Sequence, residues 1–166
     1  MHRGLKDSPM NSLSLLFPFF SGVNSTFSKQ SVPVSNGNQL WTLTFSSDHV
    51  KDKTPMVLLH GFGGGVGIWA QNLDALSQRR PVFALDLLGF GQSSRPLFST
   101  DAEEAEDQFV ESLEQWRAKV GLESMILLGH NLGGYLAVSY SIKYPDRWVP
   151  IMGFFLSHCR VVLFLI

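Results

Sequence analysis

Cysteine is nearly absent. Cys159 is the only one in 166 residues, so no intrachain disulfide can form, no thiol-rich metal site can be assembled, and a reducing compartment is expected. Charge is also scarce: 13 Lys and Arg against 14 Asp and Glu give a net charge of -1. That balance supplies no electrostatic basis for nucleic-acid binding or for strong attraction to an anionic membrane. The five histidines are scattered without metal-ligand spacing such as H-E-x-x-H, so neither a metal nor a cofactor is expected. No apolar run is long and clean enough to span a bilayer. Residues 13–20, behind Arg3 and Lys6, are broken by Pro18 and resemble a secretory signal only loosely. Residues 148–166 carry Pro150, His158 and Arg160, and a buried cation argues against insertion. This tail reads as a strand or core segment, or as a poorly folded end.

What is present suits one domain with a real core: 45% of residues are hydrophobic. Residues 1–30, rich in Ser, Asn and Phe without a sustained period, read as a flexible leader. After the turn-forming pair Asn36-Gly37, residues 39–46 alternate apolar and polar, which predicts a strand entered from a hairpin or turn. Residues 56–60 and 81–85 are short continuous apolar runs, the pattern of strands buried on both faces. Between them Trp69, Leu73 and Leu76 recur at helical spacing. A Gly- and Ser-rich loop occupies 86–96. The best-marked helix covers 101–120, where Ala102, Ala105, Phe109, Leu113, Trp116 and Val120 step by three or four. Thr100 with Glu103 offers it a capping box and Gly121 a stop. A strand at 125–128 and a helix at 132–144, stopped by Pro145, complete the pattern. Strand and helix alternate from residue 56, so a parallel core sheet with flanking helices is predicted.

The segment Gly129-His130-Asn131-Leu132-Gly133, with Gly134 behind it, keeps the glycines of a G-x-S-x-G nucleophile elbow and follows a strand-like run. Asn131 stands where the serine belongs. A carboxamide has no ionisable proton with which to become a nucleophile, so no catalytic residue is assigned and the serine-hydrolase reaction is excluded at its first step. Asn131 then has three readings: an inert replacement in a protein that binds or regulates, a sign that other residues do the chemistry, or a precursor of aspartate. The bulk of Leu132 makes backbone-assisted deamidation unattractive. The loop Gly61-Phe62-Gly63-Gly64-Gly65 lacks the P-loop signature and matches a Rossmann turn only in part. Alone it is a tight turn; beside the elbow it fits an oxyanion loop, with donors at the Phe62 and Leu132 backbone N–H groups. Asp86 precedes the elbow, whereas a triad acid follows it, so Asp86 is read as a turn-bonding residue. His60 and His130 are read as holding loops through hydrogen bonds. His158 follows the elbow, but no acid lies at suitable spacing between them.

Three runs carry a family resemblance: Val57 to Gly65 (VLLHGFGGG), Asp86 to Gly91 (DLLGFG) and Met125 to Gly134 (MILLGHNLGG). They resemble the α/β-hydrolase superfamily, and within it the branch holding the co-activator of adipose triglyceride lipase and a serine-bearing lysophospholipase that acts on N-acyl phosphatidylethanolamines. The resemblance covers about residues 33–147. It implies a partial α/β-hydrolase fold and a cytoplasmic protein of lipid-droplet surfaces that regulates triacylglycerol breakdown. A triglyceride lipase and perilipin-type droplet proteins are the implied partners, and a lipid or acyl-CoA the implied ligand. The family also implies a lysophosphatidic acid acyltransferase activity, linked to an H-x-x-x-x-D motif near the C-terminus, of which this chain is read as having no counterpart. Two departures are read against the family. Residues 1–30 do not match its Trp-rich leader, and 148–166 replace the remaining half of the domain. A truncated form is therefore expected, with an unpaired sheet edge after the last helix and, on one reading, little function of its own.

Overall fold

The computed structural model of the chain describes residues 25–157 and 160–165, with side chains up to Arg147. The apolar run at 13–20, His158 and Cys159 lie outside the described residues. Seven strands form one sheet in the order β1-β2-β4-β3-β5-β6-β7. They are β1 (Phe27–Pro33), β2 (Gln39–Phe45), β3 (Met56–Leu59), β4 (Val82–Leu85), β5 (Met125–His130), β6 (Trp148–Ser157) and β7 (Arg160–Leu165). The central strands β4, β3, β5 and β6 run parallel. β1, β2 and β7 attach antiparallel at the flanks. The parallel core sheet with flanking helices expected from the alternation is present.

Every residue of β3 is buried, because helices cover both faces. On one face, Val57, Leu59, Leu85 and Leu127 pack against Trp116 of helix α2 (Ala102–Val120) and Tyr140 of helix α3 (Leu132–Lys143). On the other, Leu58, Val82 and Leu128 meet Val66, Trp69 and Leu73, the last from the short helix α1 (Leu73–Ser77). The indole N–H of Trp116 donates to Thr42 Oγ1 at 2.9 Å, which satisfies a polar atom inside the first layer.

Several boundaries differ from the sequence reading, each for a local reason. β1 begins at Phe27, inside the stretch read as a flexible leader. As an edge strand it buries only Val32 completely and exposes Ser28 to Ser31, so it shows no alternation to detect. The helix predicted from Trp69 to Leu76 is split. A 3-10 turn at Val66–Trp69 precedes α1, and i→i+3 bonds such as Asn72 N–H to Trp69 O join them. Both forms keep Trp69 and Leu73 on the sheet. The cap of α2 is Asp101 rather than Thr100: its carboxylate accepts from the Glu103 and Glu104 N–H groups at 3.0 Å each. Gly121 closes the helix with φ +77°, as expected. The predicted unpaired edge is not found. β6 pairs in parallel with β5 from Met125↔Trp148 to His130↔Phe154, with one register shift. The apolar, β-prone run from residue 148 supplies the backbone groups that the edge of β5 needs.

A polar seam locks α3 to α2. The Tyr140 hydroxyl and the Arg117 guanidinium both donate to the Glu114 carboxylate. Tyr144 donates to Glu111, and Lys143 reaches Asp107 and Glu111 at 2.6 and 3.0 Å. Burial, reinforced by the neighbouring carboxylate, raises the Tyr140 phenol well above its ordinary value and pushes Tyr144 up to about 12. The hydrogen bonds from Arg117 hold Glu114 below the usual carboxylate range. Both phenols are thus donors at neutral pH, and the C-terminal end of α3 is fixed to α2.

Candidate functional site

The strands β3, β4 and β5 reach the same level, with Leu59 opposite both Leu85 and Gly129. Three connections therefore meet beyond their carboxyl ends, where ligands of open α/β sheets bind. They are the loop after β3 with Gly61 to Gly65, the loop after β4 from Asp86, and the junction of β5 with α3.

Asn131 occupies that junction with φ 51° and ψ −117°, a backbone conformation that costs a non-glycine residue roughly 1–3 kcal/mol. The chain doubles back tightly here. A Cβ on Gly129 would lie 2.3 Å from the Gly133 carbonyl oxygen, and one on Gly133 would lie 2.1 Å from that of Leu59. Gly134 is buried beside it in the first turn of α3. The Phe62 backbone N–H donates to Asn131 Oδ1 at 3.3 Å, and Leu132 is the first residue of α3. The structure thus brings Phe62, Asn131 and Leu132 to one place. Gly61 makes this approach possible, because a Cβ there would stand 2.7 Å from His130 Nδ1 and 2.9 Å from Asn131 Cβ. The sequence reading set the Gly61 loop beside the elbow as an oxyanion loop, without singling out Gly61 as the point of closest approach.

Two side chains fasten the loops. Asp86 is 3% exposed; its Oδ1 accepts from the Val66 N–H and its Oδ2 from the Gln92 N–H, both at 2.8 Å. Asp86 is a tie between loops, in keeping with its turn-bonding reading. His60 is fully buried. Its Nε2 accepts from the Leu87 N–H at 3.0 Å, which leaves Nδ1 to donate to the Gly61 carbonyl at 2.7 Å. His130 departs from its expected role, since its buried Nδ1 has no hydrogen-bond partner among the described residues. Phe62 is 80% exposed and stands edge-to-face on Phe90, which is in turn edge-on to His60. No group of three or more potential metal ligands is gathered among the described residues, and none of their helices is long and apolar enough to cross a membrane.

Desolvation lowers the His60 pKa below 6.5; the Gly61 bond and the Asp86 charge oppose this without reversing it. The folded chain therefore refuses a proton that the unfolded chain accepts. Stability present above pH 6.5 is expected to fall as the pH drops from there towards the lowered folded value. Urea midpoints taken at about pH 7.5 and about pH 5.5 check this, and His60→Gln is expected to flatten the decline. An unchanged slope in that variant would remove His60 as its source.

The family model for the α/β-hydrolase fold matches residues 54–147. The chain belongs to this family. Its relatives include 1-acylglycerol-3-phosphate O-acyltransferase ABHD5 of Homo sapiens, 62% identical over 125 residues, a match covering 75% of this chain and 36% of the relative. The (lyso)-N-acylphosphatidylethanolamine lipase of Homo sapiens is 57% identical over 125 residues, with the same coverage of 75% and 36%. A bacterial membrane phospholipase A superposes with a TM-score of 0.67 at 29% identity, over 76% of this chain and 39% of that one. The kinship expected from the three matched runs is thus found, and the chain spans about a third of the length of these curated relatives. Position 131 stands at the turn between β5 and α3, inside the matched residues. One reading of the acyltransferase motif needs correction: the H-x-x-x-x-D spacing does occur once, at His2 and Asp7. That pair lies at the opposite end from the motif's place and outside the described residues.

Proposed function

We propose that this α/β-hydrolase domain works by binding rather than by hydrolysis, as a regulator of triacylglycerol breakdown at lipid droplets of the lipase co-activator kind. One observation carries the reading: Asn131 holds the elbow, and its side-chain oxygen takes up the Phe62 N–H. In an oxyanion hole that donor and the Leu132 N–H would face the oxygen of a reacting carbonyl. Here the nucleophile is missing, and a donor that a substrate would use already has an acceptor. The kinship with lipid-handling relatives supports lipid metabolism as the setting. A triglyceride lipase and perilipin-type proteins are the proposed partners, and a droplet surface the proposed location. A second reading, acyl transfer to lysophosphatidate, is favoured by the acyltransferase name of the 62% identical relative.

The readings separate in one assay series. The chain and its Asn131→Ser variant are challenged with a fluorophosphonate probe, a carboxylic ester, and lysophosphatidate with acyl-CoA. The chain is then added to a purified triglyceride lipase on emulsified triacylglycerol. The expected outcome is no labelling or turnover above a buffer blank by the native chain, and a faster lipase. The serine variant is expected to stay near the blank, because no base–acid pair stands behind it among the described residues. Ester turnover by the native chain overturns the regulatory reading. Acyl transfer in its place establishes the second.

A further inference from the structure

The geometry points to Asn131 as a modification site whose carboxamide is lost as ammonia through attack by the Leu132 backbone nitrogen, leaving an aspartate at the elbow. The first support is the torsion ψ −117°. In an L residue this rotation turns the following nitrogen until it nearly eclipses the residue's own Cβ, whereas the α and β regions hold it well away. A five-membered imide built from Cα, Cβ, Cγ, the Leu132 nitrogen and the Asn131 carbonyl carbon closes only from that eclipsed arrangement. The fold therefore supplies the torsion that a flexible Asn-Leu pair rarely visits. Rotation about Cα–Cβ is the single motion left to bring Cγ to the nitrogen. The steric objection raised by Leu132 in a flexible chain loses its force, because the backbone is already turned.

The second support is the Phe62 N–H at 3.3 Å from Oδ1. Negative charge gathers on this oxygen as nitrogen adds to Cγ, and a fixed donor aimed there lowers the barrier. Thirdly, Leu132 opens α3, so no carbonyl within the helix holds its N–H. Asn131 is exposed, open to a solvent base and to water. The Leu132 nitrogen gives its proton to the solvent base and bonds to Cγ. The Cγ–Nδ2 bond breaks, and ammonia leaves with a proton drawn from solvent. Water then opens the cyclic imide at either carbonyl, yielding aspartate or its isoaspartyl isomer at position 131. The sum is asparagine plus water giving aspartate plus ammonia, with no oxidant or reductant. This inference does not rest on the regulatory reading; it makes the charge at the elbow a function of the age of the molecule.

The test compares two asparagines in one chain. Asn36 precedes Gly37, the sequence with the least steric hindrance to imide closure, but the fold holds its ψ at 30°, far from the eclipsed arrangement. The intact chain is incubated at neutral pH with and without concentrated urea, and peptide mass mapping follows conversion at each position. Asn131 is expected to deamidate at least about tenfold faster in the native chain than in urea, a barrier difference of about 1.4 kcal/mol. Asn36 is expected to behave in the opposite way. Conversion of Asn131 at the same rate or more slowly in the native chain overturns the proposal, whatever the cause.

Discussion

Alanine at position 133 is expected to move the urea unfolding midpoint of this chain far downwards. The added Cβ would sit 2.1 Å from the Leu59 carbonyl oxygen and 2.7 Å from that of His60, so it collides with backbone rather than with a side chain able to swing aside. Relief requires α3 to move off the sheet, yet the Tyr140–Glu114 and Tyr144–Glu111 bonds hold it there. The expected loss is roughly 3 kcal/mol or more, a large share of the about 5–15 kcal/mol that a domain possesses. Gly37→Ala is the control: that glycine has φ +71° but nothing within 4 Å of a new Cβ. Its cost is only that of the left-handed backbone, about 1–2 kcal/mol. Urea titrations followed by tryptophan fluorescence distinguish the two, and a Gly133→Ala chain that unfolds within about 2 kcal/mol of its parent, the upper end of the control's cost, refutes the steric account.

Removing the Asp86 carboxylate is expected to have the next largest effect. Asp86→Ala leaves the Val66 and Gln92 N–H groups without the acceptor they share, the first bond buried and the second partly so. Losing two hydrogen bonds to a charged group and stranding their donors costs roughly 3–5 kcal/mol. Asp86→Asn keeps one acceptor and turns an NH2 group towards the other donor, so an intermediate loss of about 2 kcal/mol is expected. Hydrogen exchange gives the sharper reading: amide protection should fall at positions 66 and 92 together. Retained protection at both would mean that other groups hold the loops.

The central sheet was legible because its strands are short apolar runs and its helices keep a regular apolar step. Trp116 and Leu113 advertise a buried face whatever surrounds them. β1 was not legible from residue 27, since an edge strand with one fully buried residue has no alternation to show. The pairing of β6 with β5 was hidden for another reason. Periodicity identifies a strand but not its neighbour, and the departure from the family pattern after Arg147 pointed to an open edge. At the site, Asn131 could be read from its flanking glycines alone. The meeting of Phe62 with Asn131, 69 positions apart, was legible through the oxyanion-loop reading, whereas that of His60 with Leu87, 27 apart, was not. Chemistry names the candidates for such contacts, but only the meeting of three strand ends decides which are made. The torsion at Asn131 was out of reach in the same way, and it reverses the weight given to Leu132.

The double fastening by His60 and Asp86 has a thermodynamic consequence. Phe62 projects into solvent from a frame whose peptide groups are already committed, so a visitor there would have little main chain to immobilise. Its grip would owe most to shedding water from one ring. Calorimetry of such an encounter should therefore show a small heat-capacity change, in proportion to that modest apolar area, and no signature of a loop folding on arrival.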